Sequence, residues 1–257
     1  MAHPFLQLDR PGTVRAIAHR GGGGAVENTL VAFERAVDRG YRHLETDVHV
    51  TADGVLVVSH DPTLARVAGD PRPIATLTRA ELASVRVDGR EPVPTFDELV
   101  TAFPDARLTV DLKVDGAVGP MLHTLERRPE LLGRVCIGAF TGARVRTLRR
   151  RFGPALMTAA TPGEIVRLLA AVRLRRRPPR LTAGVVAVPE RYPEGGRSVA
   201  VADAALLAAA DDVGLPVHVW TVNDPSRMAA LVAAGAAGIV TDELDLLRGT
   251  LETLGRW

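Results

Sequence analysis

Short apolar runs rich in β-branched residues alternate along the chain with longer stretches in which apolar positions recur every three or four residues. The runs Val14–Ala18, His43–Val50, Val55–Ser59, Leu108–Leu112, Val135–Gly138, Ala155–Thr158, Gly184–Val188, Val217–Thr221 and Gly238–Thr241 predict strands. Between most of them the helical period predicts helices over Thr29–Arg39, Phe96–Ala102, Gly119–Arg127, Ala143–Arg151, Pro162–Leu174, Ala202–Val213, Pro225–Ala234 and Leu244–Leu254. Helix-start signals agree. Asn28 precedes the first helix, Thr161 and Glu164 have the spacing of a capping box, and Asn223-Asp224-Pro225 opens a later helix. About eight strand–helix units in 257 residues make a closed (β/α)8 TIM barrel the economical α/β architecture, with a doubly wound open sheet as the alternative. Residues 62–95, dense in Pro, Gly and Arg, break the rhythm. They are expected to leave the barrel after its second strand as an inserted rim or lid, with one short helix near Thr78–Ser84. The whole of residues 1–257 is expected to be one domain.

The strand pattern carries an anomaly. In RHLETDVHV, His43, Glu45, Asp47 and His49 share one face, while Leu44, Thr46, Val48 and Val50 share the other. A row of ionisable groups facing inward is poor core material, because buried carboxylates need compensation. Salt bridges to arginine are one solution and a bound cation is the direct one. In LTVDLKV, two strands further on, Asp111 and Lys113 share a face in the same way. Three converging carboxylates, Glu45, Asp47 and Asp111, suit a hard divalent ion such as Mg²⁺ or Ca²⁺, with Mn²⁺ a further option. VLVVSHD follows the Asp53-Gly54 turn, as a hairpin-like return would, and delivers His60 to the C-terminal mouth. His19 ends the first strand in the same manner, so the two histidines form a candidate acid–base pair.

Composition narrows the classes. At 46% hydrophobic residues the chain can bury a large core, and a net charge of +2 gives no reason to expect nucleic acid. The run RLRRRPPR, Arg173 to Arg180, lacks interleaved aromatics and reads as a solvated helix end. The lone Cys136 excludes an intramolecular disulfide and fits a small buried strand residue. Neither a leader nor a membrane-spanning run is visible, so a cytoplasmic protein without stable membrane insertion is expected; oligomeric state is left open. Lys113 is the single lysine beside 31 arginines, at a position where a compact point charge would serve and a guanidinium would not.

HRGGGGAVENTLVAF followed by ETDVHVTADGVLVVSHDPTLARVAG closely resembles the glycerophosphodiester phosphodiesterase family, within the phospholipase C-like phosphodiesterase barrels. The resemblance continues through VPTFDEL, VDLK, VHVWTVND and GIVTDELDLL, and is weakest from about Thr141 to Ser198. It implies a barrel that hydrolyses a small-molecule glycerophosphodiester to glycerol 3-phosphate and an alcohol, using one divalent cation. By position it implies Glu45, Asp47 and Asp111 as metal ligands and His19 and His60 as acid and base. Arg20 and Lys113 would contact phosphate, Glu27 would support the site, and Trp220 would wall the glycerol end. One departure is Asp111, where many relatives have glutamate. Gly21 is expected to let the backbone pass close to the phosphate, and Gly22–Gly24 to form an adaptable lip. A lysophospholipase D-like lipid phosphodiesterase on the same barrel is the alternative activity, and would need apolar side chains facing solvent in residues 62–95. A non-catalytic phosphate-binding barrel is the remaining one, and it would normally have lost a histidine or carboxylate.

Overall fold

Eight parallel strands form the wall of the molecule in the computed structural model, which describes residues 3–8, 10–194 and 197–257. They are β1 (Arg15–His19), β2 (His43–Val50), β4 (Arg107–Leu112), β5 (Val135–Gly138), β6 (Met157–Thr158), β7 (Val186–Pro189), β8 (Val217–Trp220) and β9 (Gly238–Thr241); β3 (Leu56–Val58) stands apart from them. The order around the wall is β6-β5-β4-β2-β1-β9-β8-β7. Closure comes from a parallel bridge between Ala159 and Val185, with Gly184 N donating to Thr158 O at 3.0 Å and Ala160 N to Val185 O at 2.8 Å. The fold is therefore the expected α/β barrel.

Alternation along β4 shows how the wall is built. Leu108, Val110 and Leu112 are fully buried and join the cluster that holds Phe33, Leu99 and Met121 of the outer helices. A leucine buried in this way contributes about 1.5–3 kcal/mol. Thr109 and Asp111 occupy the inner face, only partly buried. The helices are α1 (Leu30–Asp38), α2 (Phe96–Ala102), α3 (Val118–Arg127), α4 (Gly142–Phe152), α5 (Pro162–Arg173), α6 (Ala204–Asp211), α7 (Pro225–Ala233) and α8 (Leu244–Thr253). Capping boxes at Thr95–Glu98 and Thr161–Glu164 start α2 and α5, and Asp224 with Pro225 starts α7. The arginine-rich run after α5 is mostly exposed, as a solvated helix end should be. Among the described residues no helix is long and apolar enough to cross a membrane.

The hairpin-like return expected after Asp53-Gly54 is present, so the run Val55–Ser59 is not part of the parallel wall. The Asp53-Gly54 turn sends β3 back antiparallel to β2, pairing Val48 with Val58 and Val50 with Leu56. A parallel neighbour would need a crossover, which this short turn cannot supply. LTVDLKV, two strands further on in the chain, is consequently the immediate neighbour of β2 in the wall, with Asp47 opposite Asp111. The strand expected from Ala155 begins at Met157, because Gly153–Ala155 forms a 3₁₀ turn around Pro154.

Residues 62–95 do leave the barrel, as a set of two-residue to four-residue strands and short turns. Leu64, Ile74, Leu77, Leu82, Val85, Val87 and Val93 pack with Val57 of β3 into a small apolar cluster of their own. The segment holds two short helices where one was expected, Ala65–Ala68 and Arg79–Leu82, the second started by a Thr78–Glu81 capping box.

The N-terminal end of the barrel is filled by Phe5, packed with Cys136, Met157, Ala159 and Val185. Burial pushes the Cys136 thiol up to about 12, so it acts as an apolar side chain. Burial likewise lowers His218 to about 3, and then Arg15 adds to the effect. An unfolded histidine takes up a proton near pH 6.5 that the folded His218 refuses until about pH 3. Stability is thus expected to be full above pH 6.5 and to fall as pH drops through that window, by an upper bound of about 4–5 kcal/mol for this group. Urea titrations of the parent and His218→Gln at pH 7 and pH 5 check this. The variant should show the smaller loss, and equal losses would refute it.

Candidate active site

The mouth of the barrel is organised by the turn after β1. Arg20 N donates to Glu45 O at 3.0 Å, extending the β1–β2 ladder by one bond, and Asn28 N returns to Arg20 O at 2.8 Å. Arg20 and Asn28 both hold left-handed backbone, at φ 54° and 58°, an uncommon state for residues with side chains. Three of the four intervening glycines are packed, so Gly22 and Gly23 do not form the adaptable lip that was expected. All are left-handed. A Cβ on Gly21 would strike the Ala32 backbone at 2.7 Å, one on Gly22 the Leu244 side chain at 2.6 Å, and one on Gly23 Asp242 at 2.8 Å. Only Gly24 faces open space. Gly21 thus lies against α1. The cap of α1 also differs from expectation. Thr29 accepts from Ala32 N, which frees Asn28 to turn inward. There Asn28 donates to Asp47 Oδ2 at 3.3 Å and accepts from Thr46 Oγ1 at 2.9 Å.

Glu45, Asp47 and Asp111 face the mouth from adjacent strands. Lys113 Nζ stands 2.8 Å from Asp47 Oδ1 and 2.8 Å from Asp111 Oδ2, so the lone lysine bridges the two aspartates. Burial works to lower its proton affinity, but the two carboxylates outweigh burial and raise it. Arg20 Nε lies 3.2 Å from Asp47 Oδ2, an ion pair without hydrogen-bond alignment. Glu45 is different. Its Oε2 is buried without a hydrogen-bond partner, 3.8 Å from His19 Nε2. Burial first, and then the neighbouring Asp47, push its carboxyl well above the usual range. Among the described residues no three acidic, histidine or cysteine side chains are gathered closely enough to enclose a cation as they stand. The donor chemistry nevertheless fits a hard cation. It is all oxygen, and one buried carboxylate oxygen lacks any partner.

Each mouth histidine is held by an aspartate. His19 Nδ1 is 2.6 Å from Asp242 Oδ1, and Asn223 Nδ2 donates to the other oxygen at 3.0 Å. Burial would raise Asp242, yet the bonds from His19 and Asn223 prevail and lower it. His60 Nδ1 is 2.7 Å from Asp61 Oδ1, and Arg66 Nε donates to Asp61 Oδ2 at 2.7 Å. An ionised carboxylate only accepts, so Nδ1 carries the proton in both rings and Nε2 is left as the reactive nitrogen. The network continues outward. Arg66 makes two bonds to Glu27, at 2.9 and 2.7 Å, and Glu27 accepts from Arg20 Nη1 at 3.0 Å. Burial would raise Glu27, but Arg66 and then Arg20 lower it. A chain of ion pairs therefore runs from the inserted segment through Glu27 to Asp47. His49 Nε2 lies 3.2 Å from the His60 carbonyl oxygen.

Trp220 lines the same mouth and meets Phe140 edge to face, with ring centroids 6.2 Å apart. Phe140 is 64% exposed, and Lys113 Nζ lies 5.9 Å from its ring centre. Four residues of this site received no role from the sequence: Asp242, Asp61, Arg66 and Phe140. The adjacency of Asp61 to His60 was a usable signal, and Asp242 lies within the quoted GIVTDEL. Arg66 likewise lies within the quoted HDPTLARVAG, whereas Phe140 offered no signal. The remaining histidines are elsewhere: His3 near the N-terminus, His43 and His218 in the lower barrel, and His123 exposed on α3.

A (β/α)8 barrel with two aspartate-backed imidazoles beside a carboxylate, ammonium and guanidinium cluster has the equipment of a phosphoric diester hydrolase. The chain belongs to the glycerophosphoryl diester phosphodiesterase family, whose model matches residues 19–246. It is 33% identical, over 99% of its own length and 97% of the relative's, to the Mycobacterium tuberculosis protein named probable glycerophosphodiester phosphodiesterase 2. In structure it is similar to a Silicibacter pomeroyi protein assigned as a glycerophosphoryl diester phosphodiesterase, with TM-score 0.75, 26% identity and 98% of both chains covered. The fold is shared with an Oleispira antarctica phosphodiesterase solved with its product sn-glycerol-3-phosphate. There the TM-score is 0.72 at 19% identity, covering 93% of this chain and 97% of the other.

Proposed function

We propose that this chain, acting as one domain over residues 1–257 in the cytoplasm, hydrolyses small glycerophosphodiesters to glycerol 3-phosphate and an alcohol. The observation that carries the proposal is the pair of imidazoles, His19 and His60, each anchored through Nδ1 at 2.6–2.7 Å to an aspartate beside the carboxylate cluster. The product bound in the Oleispira protein supports the substrate class. Dependence on a divalent metal is general in the family. Glu45, Asp47 and Asp111 would hold the ion, which when bound supplies positive charge to the non-bridging oxygens.

The side chains do the rest. Lys113 and Arg20 neutralise the phosphodiester and the charge that grows on it during attack. One imidazole Nε2 removes a proton from the attacking hydroxyl, either the substrate's own 2-hydroxyl or water. The other donates a proton to the departing alkoxide. With the 2-hydroxyl as nucleophile the product of this step is a cyclic phosphate, which water then opens through the same two groups. Trp220 and Phe140 supply an apolar wall for carbon-bound hydrogens of the substrate. The lipid-phosphodiesterase alternative is disfavoured, because Leu64, Leu77 and Leu82 of the inserted segment are buried in its own cluster.

A panel of glycerophosphodiesters assayed after chelation, with Mg²⁺, Ca²⁺ or Mn²⁺ added back, tests the proposal. Activity should vanish on chelation and return with a hard divalent ion. Glu45→Ala should lose cation binding by titration calorimetry. Undiminished turnover of glycerophosphocholine by metal-free protein would overturn the metal assignment, and no turnover of any diester under any ion would overturn the activity.

A further inference from the structure

A second polar cluster lies inside the barrel at the end opposite the mouth, where the chemistry above makes no use of it. Arg15 of β1, His43 of β2 and His218 of β8 all point inward and are 8%, 6% and 2% exposed. Each keeps a buried nitrogen without a hydrogen-bond partner: Arg15 Nε, His43 Nδ1 and His218 Nε2. Strand register draws them together. Arg15 and His218 stand level with Gly238 on its two sides, and a Cβ at Gly238 would collide with the His218 ring at 2.7 Å. His43 is level with Ile17, the next inward residue above Arg15. Phe5 closes the end, with its ring centre 5.6 Å from that of His43, and Arg15 Nη2 donates to Leu6 O.

Among the described residues the ionisable groups gathered at this end are basic: Arg15, His43 and His218. Among the described residues no carboxylate pairs with Arg15. Burial lowers its proton affinity, and Arg107 lowers it further. Burial lowers His43 as well, with smaller contributions from His218, Arg15 and Arg107. Open donors on a buried cation are costly. A water could satisfy the donors but would leave the guanidinium charge uncompensated.

We propose that a small monovalent anion of chloride size binds here, bridging Arg15 Nε, His43 Nδ1 and His218 Nε2. Its role is structural: it ties β1, β2 and β8 to the N-terminal plug. The test needs no turnover, so it is independent of the reading of the mouth. Protein exchanged into sodium gluconate is titrated with sodium chloride at constant ionic strength while its thermal unfolding is followed. The melting temperature should rise by about 2–4 °C at saturation, and the rise should be absent in Arg15→Met. Where that variant does not fold, His43→Phe keeps the cation and should weaken the chloride response at least tenfold. Crystals soaked in bromide should show an anomalous peak within hydrogen-bond distance of Arg15 Nε. Melting that ignores chloride, together with no bromide peak at this place, would overturn the proposal.

Discussion

Replacement of His19 or of His60 by alanine is expected to lower kcat by roughly 10²-fold or more, the usual scale for a general acid or base. The expectation rests on the orientation of each ring. Asp242 and Asp61 accept hydrogen bonds from the Nδ1–H groups, so each ring offers only Nε2 to a reacting group. Removing the ring removes the proton carrier and leaves the barrel wall intact, so melting temperature should stay within a few degrees of the parent. Asp242→Asn is the finer version. An amide can donate to Nδ1 and reverse the tautomer, so kcat should fall while KM changes little. His123→Ala, on the exposed surface of α3, should leave kcat near the parent value. A loss of only a few-fold for either His19 or His60 would remove that residue from the acid–base pair.

Lys113→Arg should be nearly as damaging, with kcat/KM reduced by roughly 10²-fold and a melt close to the parent. The ammonium sits 2.8 Å from an oxygen of each of two aspartates on neighbouring strands. A point charge with three rotatable donors satisfies that geometry, and it can still present a donor to a phosphate oxygen. The planar guanidinium is longer and its donors are fixed in a fork, so it would displace one aspartate or fill the space meant for the substrate. Thirty-one arginines elsewhere show that this chain uses guanidinium freely where the geometry permits it. Turnover close to the parent would deprive Lys113 of its role, while a collapsed melt would make the bridge structural.

Much of this site was legible before any coordinates. The alternation in RHLETDVHV assigns Glu45 and Asp47 to the inner face and Leu44 and Val48 to the helix face, and the structure has them so. The same holds for Asp111 against Leu112. Less legible was the glycine loop. Four glycines in a row announce unusual backbone, but only the positions of Ala32, Leu244 and Asp242 show that three of them are there for close packing. Asn28 was misread for a related reason. Its neighbour Thr29 can cap a helix equally well, and the competition is decided by Asp47 and Thr46, which draw the Asn28 side chain inward.

By itself, then, the sequence determined the elements, their facing and the chemical identity of the inner row. Those properties depend on side-chain period, which is local and survives whatever the rest of the chain does. Tertiary structure alone decided which strands are neighbours and which groups meet. The Asp53-Gly54 turn had announced the return of β3, but only the assembled barrel put Asp111 beside Asp47. Asp242 reaches His19 across 223 residues of chain. Arg66, on an inserted segment with its own small core, reaches Glu27 and Asp61, and Phe140 leans over Lys113 from a loop. Contacts of this kind depend on the crossovers and on barrel closure, which bring together residues whose separation along the chain carries no periodic signal.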